Sequence, residues 1–208
     1  ANRAIRSGDG EVFISGGIEN MTRAPYVVGK PSTGFGGDSK MHDSTFGWRF
    51  INPKMQQLFG TDGMGTTAEN LVDKYNISRE DQDQFAYWSQ MKATKAQNNG
   101  RLAKEIIPVE IPQRKKDAIQ FSKDEFVKPA SSKEILAKLR PAFKKEGGTV
   151  TAGNSSGIND GAVATIIASE EAVKKYNLIP MARIVSSAVA GVEPRIMGIG
   201  PVQASNKA

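Results

Sequence analysis

Thr149-Val-Thr-Ala-Gly-Asn-Ser-Ser-Gly-Ile-Asn-Asp-Gly161 runs straight into Ala162-Val-Ala-Thr-Ile-Ile-Ala168, and this junction decides the fold class. The first half is nearly all small or polar, so its backbone can approach a ligand closely. Asn154, Ser155 and Ser156 can donate to carbonyl or phosphate oxygens. Judged on residues alone, a tight loop that packs its own turns is the preferred explanation of the stretch. The second half is a short apolar run of the kind that forms a buried strand. Ser169 to Tyr176 (SEEAVKKY) then reads as a helix, and Ala182 to Val192 as another strand. Strand, helix, strand at this spacing points to an α/β layer.

Working toward the N-terminus, the segment before the loop is basic. From Arg101 to Lys145 there are 12 Lys/Arg against 6 Asp/Glu, and the rest of the chain holds 16 of each, so the net charge of +6 comes from this segment alone. Such a segment attracts polyanions, including phosphorylated small molecules, or serves as a solvated face. Within it, Ser131 and Glu134 suit a short helix ended by Pro141, and Glu105 to Ile111 suits an edge strand interrupted by Pro108. Upstream, Thr66 with Glu69 and Ser78 with Asp81 are spaced as helix N-terminal caps. Asn99-Gly100 supplies a helix stop, and Phe85, Trp88 and Met91 form a stripe expected in the core. Residues 28 to 63 show no sustained period. Glu11 to Gly17 (EVFISGG) reads as a buried strand ending in a tight turn, after an opening Ala1-Asn2-Arg3-Ala4-Ile5-Arg6 that reads as a helix already under way.

Several function classes are excluded. There is no cysteine and one histidine, His42, so a disulfide framework, a zinc-thiolate centre and a cysteine nucleophile are absent; no metal site is expected. No apolar run reaches the roughly 20 residues that span a bilayer. Gly34, Gly36 and Gly37 do not make a dinucleotide fingerprint, and no Walker loop is present. Nucleic-acid binding ranks last, because only Phe121, Phe126 and Phe143 interleave the basic charge. Without a secretory h-region in Ala1 to Arg6, and without an initiating methionine, the chain is expected to be cytoplasmic and to begin mid-protein.

Five blocks then converge in order. Ser15-Gly-Gly-Ile-Glu-Asn-Met-Thr-Arg-Ala-Pro25, Met64-Gly-Thr-Thr-Ala-Glu-Asn70 with Ile77-Ser-Arg-Glu-Asp-Gln-Asp83, Lys138-Leu-Arg-Pro-Ala-Phe143, Thr149 to Gly161, and Pro194-Arg-Ile-Met-Gly-Ile-Gly-Pro201 resemble successive segments of the thiolases. Ser44-Thr-Phe-Gly-Trp-Arg-Phe-Ile-Asn-Pro53 is most similar to the 3-oxoadipyl-CoA branch. The resemblance implies an α/β thiolase fold, layered α/β/α/β/α and partial, with an inserted, mostly helical loop domain. It implies residues 1–25 as the rest of an N-terminal half, 26–157 as the inserted coenzyme A-binding domain, and 158–208 as the end of the first half and the start of the next.

The activity implied is reversible thiolytic cleavage of 3-oxoacyl-CoA to acetyl-CoA and a shortened acyl-CoA by an acetyl-CoA C-acyltransferase. Coenzyme A is a substrate, no cofactor is bound permanently, and the complete protein is expected to be a homodimer or homotetramer. The family's nucleophilic cysteine is expected just before Ala1, and its histidine and second cysteine beyond Ala208, so no catalytic residue is assigned and the chain alone is expected to be inactive. Substrate contacts transfer by position. Ser156 is similar to the serine that hydrogen-bonds the pantetheine arm, Ala152 and Gly153 line that loop, and Met64, Phe143 and Met197 flank the pantetheine and acyl channel. Lys128 falls where relatives hold an arginine near the phosphates; Arg114, Lys115 and Lys116 are further candidates. Gly63 stands where many members have a histidine, and Arg49 or His42 could meet the distal carboxylate of a dicarboxylic substrate. The alternative is a naturally short, non-catalytic acyl-CoA binding module.

Overall fold

The computed structural model describes residues 1–208. Its elements in chain order are α1 (Asn2–Ser7), β1 (Val12–Asn20), β2 (Tyr26–Val28), β3 (Met41–Asp43), α2 (Pro53–Phe59), α3 (Met64–Tyr75) and α4 (Arg79–Asn98). There follow β4 (Val109–Gln113), β5 (Lys116–Phe121), α5 (Lys133–Ala137), β6 (Asp160–Ala168), α6 (Glu170–Lys175) and α7 (Gly200–Lys207). They fall into two compact units, residues 1–64 with 158–208, and residues 65–157.

The first unit is organised by β1 and β6, which pair antiparallel from Val12 opposite Ala168 to Asn20 opposite Asp160. Gly16 fits this ladder because a Cβ there would lie 2.3 Å from the Val163 carbonyl oxygen. The tight turn expected at Gly16-Gly17 is therefore absent: the pair lets the strands close and β1 continues to Asn20. The ladder is tied off by Asp160, whose carboxylate accepts from the Thr22 backbone N–H at 2.9 Å and from the Thr22 hydroxyl. Those bonds, the hydroxyl's first, hold the Asp160 carboxyl below its ordinary pKa.

Two expectations for this unit fail. The strands read as buried leave Ile14 and Ile18 about four-fifths exposed, because β1 and β6 form a two-stranded sheet with no third layer over that face. Ala182 to Val192 forms no strand and joins no ladder. The helix after β6 forms as read, with the Ser169 hydroxyl accepting from Ala172 N–H at 3.1 Å. The aperiodic stretch from 28 to 63 holds β3, which pairs with β2 just before it, and α2, which Asn52 caps through Lys54 and Met55 N–H ahead of Pro53.

In the second unit α4 is the longest element. Ser78 caps it as expected, accepting from Asp81 N–H at 3.0 Å, and Gly100, at φ 77°, follows its last turn. The other caps shift. α3 starts at Met64, so Thr66 lies inside its first turn and Glu69 is turned away from the helix end, toward the 149–161 loop. α5 takes Ser132 rather than Ser131 as its cap. The apolar stripe of α4 is not core: Phe85 and Trp88 are 72% and 54% exposed, because the face of the helix that is anchored is the one carrying Arg79, Gln82 and Asp83. β4 starts directly after Pro108, whose missing N–H makes it a strand boundary, and pairs with β5 in a hairpin the helical reading overlooked. No helix of the chain is long and apolar enough to cross a membrane.

Candidate functional site

The site is best built from the root of the 149–161 loop. Glu69 is 2% exposed, and one of its oxygens accepts from the backbone N–H of both Thr149 and Val150 at 2.8 Å. Its other oxygen accepts from the Thr149 hydroxyl at 3.1 Å, and that hydroxyl accepts from Gln82 Nε2 at 2.9 Å. A second anchor begins at Arg79, which donates to the Leu136 and Leu139 carbonyls at 2.7 and 3.0 Å and to Asp83 at 2.8 Å. Asp83, 5% exposed, accepts from Asn154 Nδ2 at 3.0 Å. Buried carboxylates are tolerated when their oxygens are hydrogen-bonded, and each oxygen of Glu69 and of Asp83 accepts at least one bond.

Inside the loop, Asn154 also donates to the Thr149 carbonyl and accepts from Thr151 N–H, while Ser155 Oγ donates to the Thr151 carbonyl at 2.6 Å. Two of the three side chains singled out as ligand donors are thus already engaged, Ser155 within the loop and Asn154 within the loop and with Asp83. Ser156 is the exception: it is exposed, and its hydroxyl has no hydrogen-bond partner in the protein. Ala152 is exposed beside it, and Gly153 must be glycine, since a Cβ there would lie 2.5 Å from Leu139 Cδ1 and 2.6 Å from Leu136 Cδ2.

Aromatic rings border the loop. Phe126 packs on Gly157, where a Cβ would come within 2.4 Å of the ring, and the Lys128 ammonium stands 5.6 Å from the centroid of that ring. Lys128 is further held by its N–H on Gln90 Oε1 at 2.8 Å. Phe143, half exposed, lies against Gly65 so closely that a Cβ there would meet it at 2.2 Å. Ser156, Ala152, Gly153, Lys128 and Phe143 therefore belong to one unit, and Lys128 reaches the loop through Phe126. Arg114, Lys115 and Lys116 are exposed around the β4–β5 turn, with Lys115 at φ 59°.

Met64 and Met197 belong to the other unit. Asp62, two residues before Met64, pairs with Arg195, two residues before Met197, at 2.8 Å, and the Asp62 carbonyl accepts from Trp48 Nε1. Both methionines are exposed, at 70% and 47%. A cavity of about 330 Å³ lies between the end of α2 and this turn, lined by Phe59, Gly60, Glu193 and Arg195 among others. His42 packs edge-on to Phe50 at 5.2 Å, and Arg49 donates to the Gly47 carbonyl at 2.9 Å.

Residues 1–171 match the family model described as the thiolase N-terminal domain. This chain belongs to the thiolase family. Over 207 residues it is 52% identical to a β-ketoadipyl-CoA thiolase of Acinetobacter baylyi and 50% identical to the 3-oxoadipyl-CoA/3-oxo-5,6-dehydrosuberyl-CoA thiolase of Escherichia coli, covering all of this chain and 51% of each relative. The chain thus spans about half the length of the curated relatives it matches. Among solved structures it superposes on human mitochondrial 3-ketoacyl-CoA thiolase with a TM-score of 0.84 at 44% identity, covering 99% of this chain and 51% of that one. The acetyl-CoA acetyltransferase of Bacillus anthracis gives 0.81 at 40% identity, over 98% of this chain and 50% of the other. The α/β thiolase fold expected from the sequence is therefore the observed one.

Sequence reasoning missed Glu69, Arg79, Gln82 and Asp83 as anchors of the 149–161 loop. All four sit in the two blocks, 64–70 and 77–83, that carried the resemblance, and that was the available signal. Glu69 had been read as a helix cap because its spacing from Thr66 fits one.

Proposed function

We propose that this chain forms the coenzyme A-binding part of a cytoplasmic, homo-oligomeric thiolase that cleaves 3-oxoacyl-CoA with coenzyme A, or runs the reverse condensation. 3-Oxoadipyl-CoA is the favoured substrate, a reading supported by relatives of that name at about half identity. The observation that carries the binding role is the exposed Ser156, whose hydroxyl has no partner, on a loop whose Asn154 and Ser155 side chains are already hydrogen-bonded. A hydroxyl there can donate to a pantetheine carbonyl or accept from its amide N–H. Small Ala152 and Gly153 let the arm lie close, Phe143 offers an apolar flank, and Lys128 offers a point charge to phosphate.

In the proposed reaction a cysteine thiolate bonds to the 3-oxo carbon as the C2–C3 bond breaks, the departing acetyl-CoA enolate takes a proton, and coenzyme A thiolate then displaces the cysteine. With no cysteine among the 208 residues, that chemistry falls to protein outside them. The same absence favours the second reading, a non-catalytic acyl-CoA binding module. Calorimetry separates binding from chemistry: coenzyme A should bind the chain, with Ser156→Ala about tenfold weaker, a hydrogen bond's worth. No binding by the folded wild-type chain would remove both readings.

Substrate choice has its own test. Arg49 lies near enough to Asp43 to help lower that carboxyl's pKa, after the Thr45 hydroxyl and N–H, and its second guanidinium nitrogen is open to a distal carboxylate. In the catalytically complete protein, Arg49→Ala should raise KM for 3-oxoadipyl-CoA about tenfold and leave acetoacetyl-CoA within twofold. Equal loss with both would remove Arg49 from the acyl end.

A further inference from the structure

Glu69 is buried, yet its carboxylate touches only the first two residues of the loop that ends at Ser156. One oxygen fixes two successive N–H groups, those of Thr149 and Val150, so it sets the orientation of two adjacent peptide planes at once. Further along, Thr151 N–H bonds to Asn154, Gly153 N–H to the Thr151 hydroxyl and Ser155 to the Thr151 carbonyl, and Asn154 Nδ2 to Asp83 is the one side-chain bond that leaves the loop. The shape that turns Ser156 outward is therefore referenced to a root that Glu69 holds. Thr151 is fully buried and Val150 is 5% exposed, so the root has little room to adopt a different path.

We infer that Glu69 is a positioning residue for coenzyme A, acting through Thr149 and Val150 to aim the Ser156 hydroxyl. This rests on the coenzyme A reading above. A carboxylate suits the task where an amide does not. The Thr149 hydroxyl accepts from Gln82 and so points its proton at Glu69, and an amide nitrogen in that place would set donor against donor. Charge-assisted bonds to the two N–H groups are also stronger than neutral ones.

The test is a double-mutant cycle on the full chain, with coenzyme A binding read by calorimetry and folding by circular dichroism. Glu69→Gln is isosteric and should weaken coenzyme A binding about tenfold while the far-ultraviolet spectrum stays native. Ser156→Ala should cost about tenfold in the wild-type background and less than threefold in Glu69→Gln, because the hydroxyl is already misaimed. A merely structural Glu69 would lower the melting temperature but leave binding by folded molecules unchanged, or leave the Ser156→Ala effect whole; either result overturns the inference. If Glu69→Gln does not fold, Thr149→Val removes only the hydroxyl contacts and is judged by the same two criteria. Failure of the wild-type chain to bind coenzyme A removes the functional reading and this inference together, whereas a Ser156→Ala effect without a Glu69→Gln effect removes only the inference.

Discussion

At the residue scale, two aspartates that look alike in sequence have different energetic weight. Asp83 is buried between Arg79 and Asn154, and its removal leaves a guanidinium and an amide short of an acceptor in a dry environment. Each keeps another partner, so Asp83→Ala should cost about 2 kcal/mol in chemical denaturation, less than the loss of a fully buried pair. By contrast, breaking the half-exposed Arg101–Glu105 pair with Glu105→Ala should change stability by no more than about 0.5 kcal/mol. Asp160 is exposed, and its effect is visible in pH rather than in size. Because the Thr22 hydroxyl and N–H depress its folded pKa, the stability they contribute is present above the ordinary value of 3.8 and lost as pH falls through the folded value. Thr22→Val should therefore melt below the wild type at neutral pH, and the two curves should converge in acid below that value.

At the element scale, helix ends show what the sequence carries openly and what it conceals. Ser78 is readable as a cap because a serine preceding an acidic first turn has few other uses. Thr66–Glu69 has the same spacing and was misread, since nothing local reveals that Glu69 is needed 80 residues away at Thr149. The loop's small, polar composition was legible, but not which of its donors stay free: Ser155 bonds to the Thr151 carbonyl and Ser156, its neighbour of the same type, to nothing, a difference set by the path of the folded loop. The C-terminal signal was present and went unread. Lys74-Tyr-Asn-Ile77 closes α3 and Lys175-Tyr-Asn-Leu178 follows in the same way at the end of α6, with Asn76 and Asn177 both at φ 51°. In each case the next residue's N–H returns to a carbonyl five residues back, Ile77 to Val72 and Leu178 to Val173. A left-handed residue costs most side chains about 1 kcal/mol or more, so Asn76→Ala and Asn177→Ala should each lower stability by about 1 kcal/mol. Glycine at either position should be neutral or slightly stabilising, and the pair of thermal melts checks both directions.

For the whole molecule, each unit buries few apolar side chains, Ala172 and Ile196 in one and Leu136 and Val150 in the other. The strands β1 and β6 were read as core because their residues are those of a covered strand, and that reading of the side chains is sound even though the observed sheet has only two members. Val12, Ile14, Ile18 and Ile166 share one face and are 41%, 79%, 82% and 63% exposed. An isolated two-stranded sheet is marginal in water, and a contiguous β-branched face is the surface most prone to association. The 65–157 unit differs, because its loop is pinned by buried carboxylates that do not depend on β1 or β6. The chain should accordingly bind a hydrophobic dye and sediment faster as its concentration rises. The double substitution Ile14→Thr with Ile18→Thr should cut both signals while leaving the 65–157 unit folded, since threonine keeps the β-branched shape and removes the apolar tip. Amide exchange supplies the decisive comparison: protection at Thr149 and Val150 should be the same in the variant and the parent chain. Loss of protection there would mean that the loop anchor depends on the sheet after all.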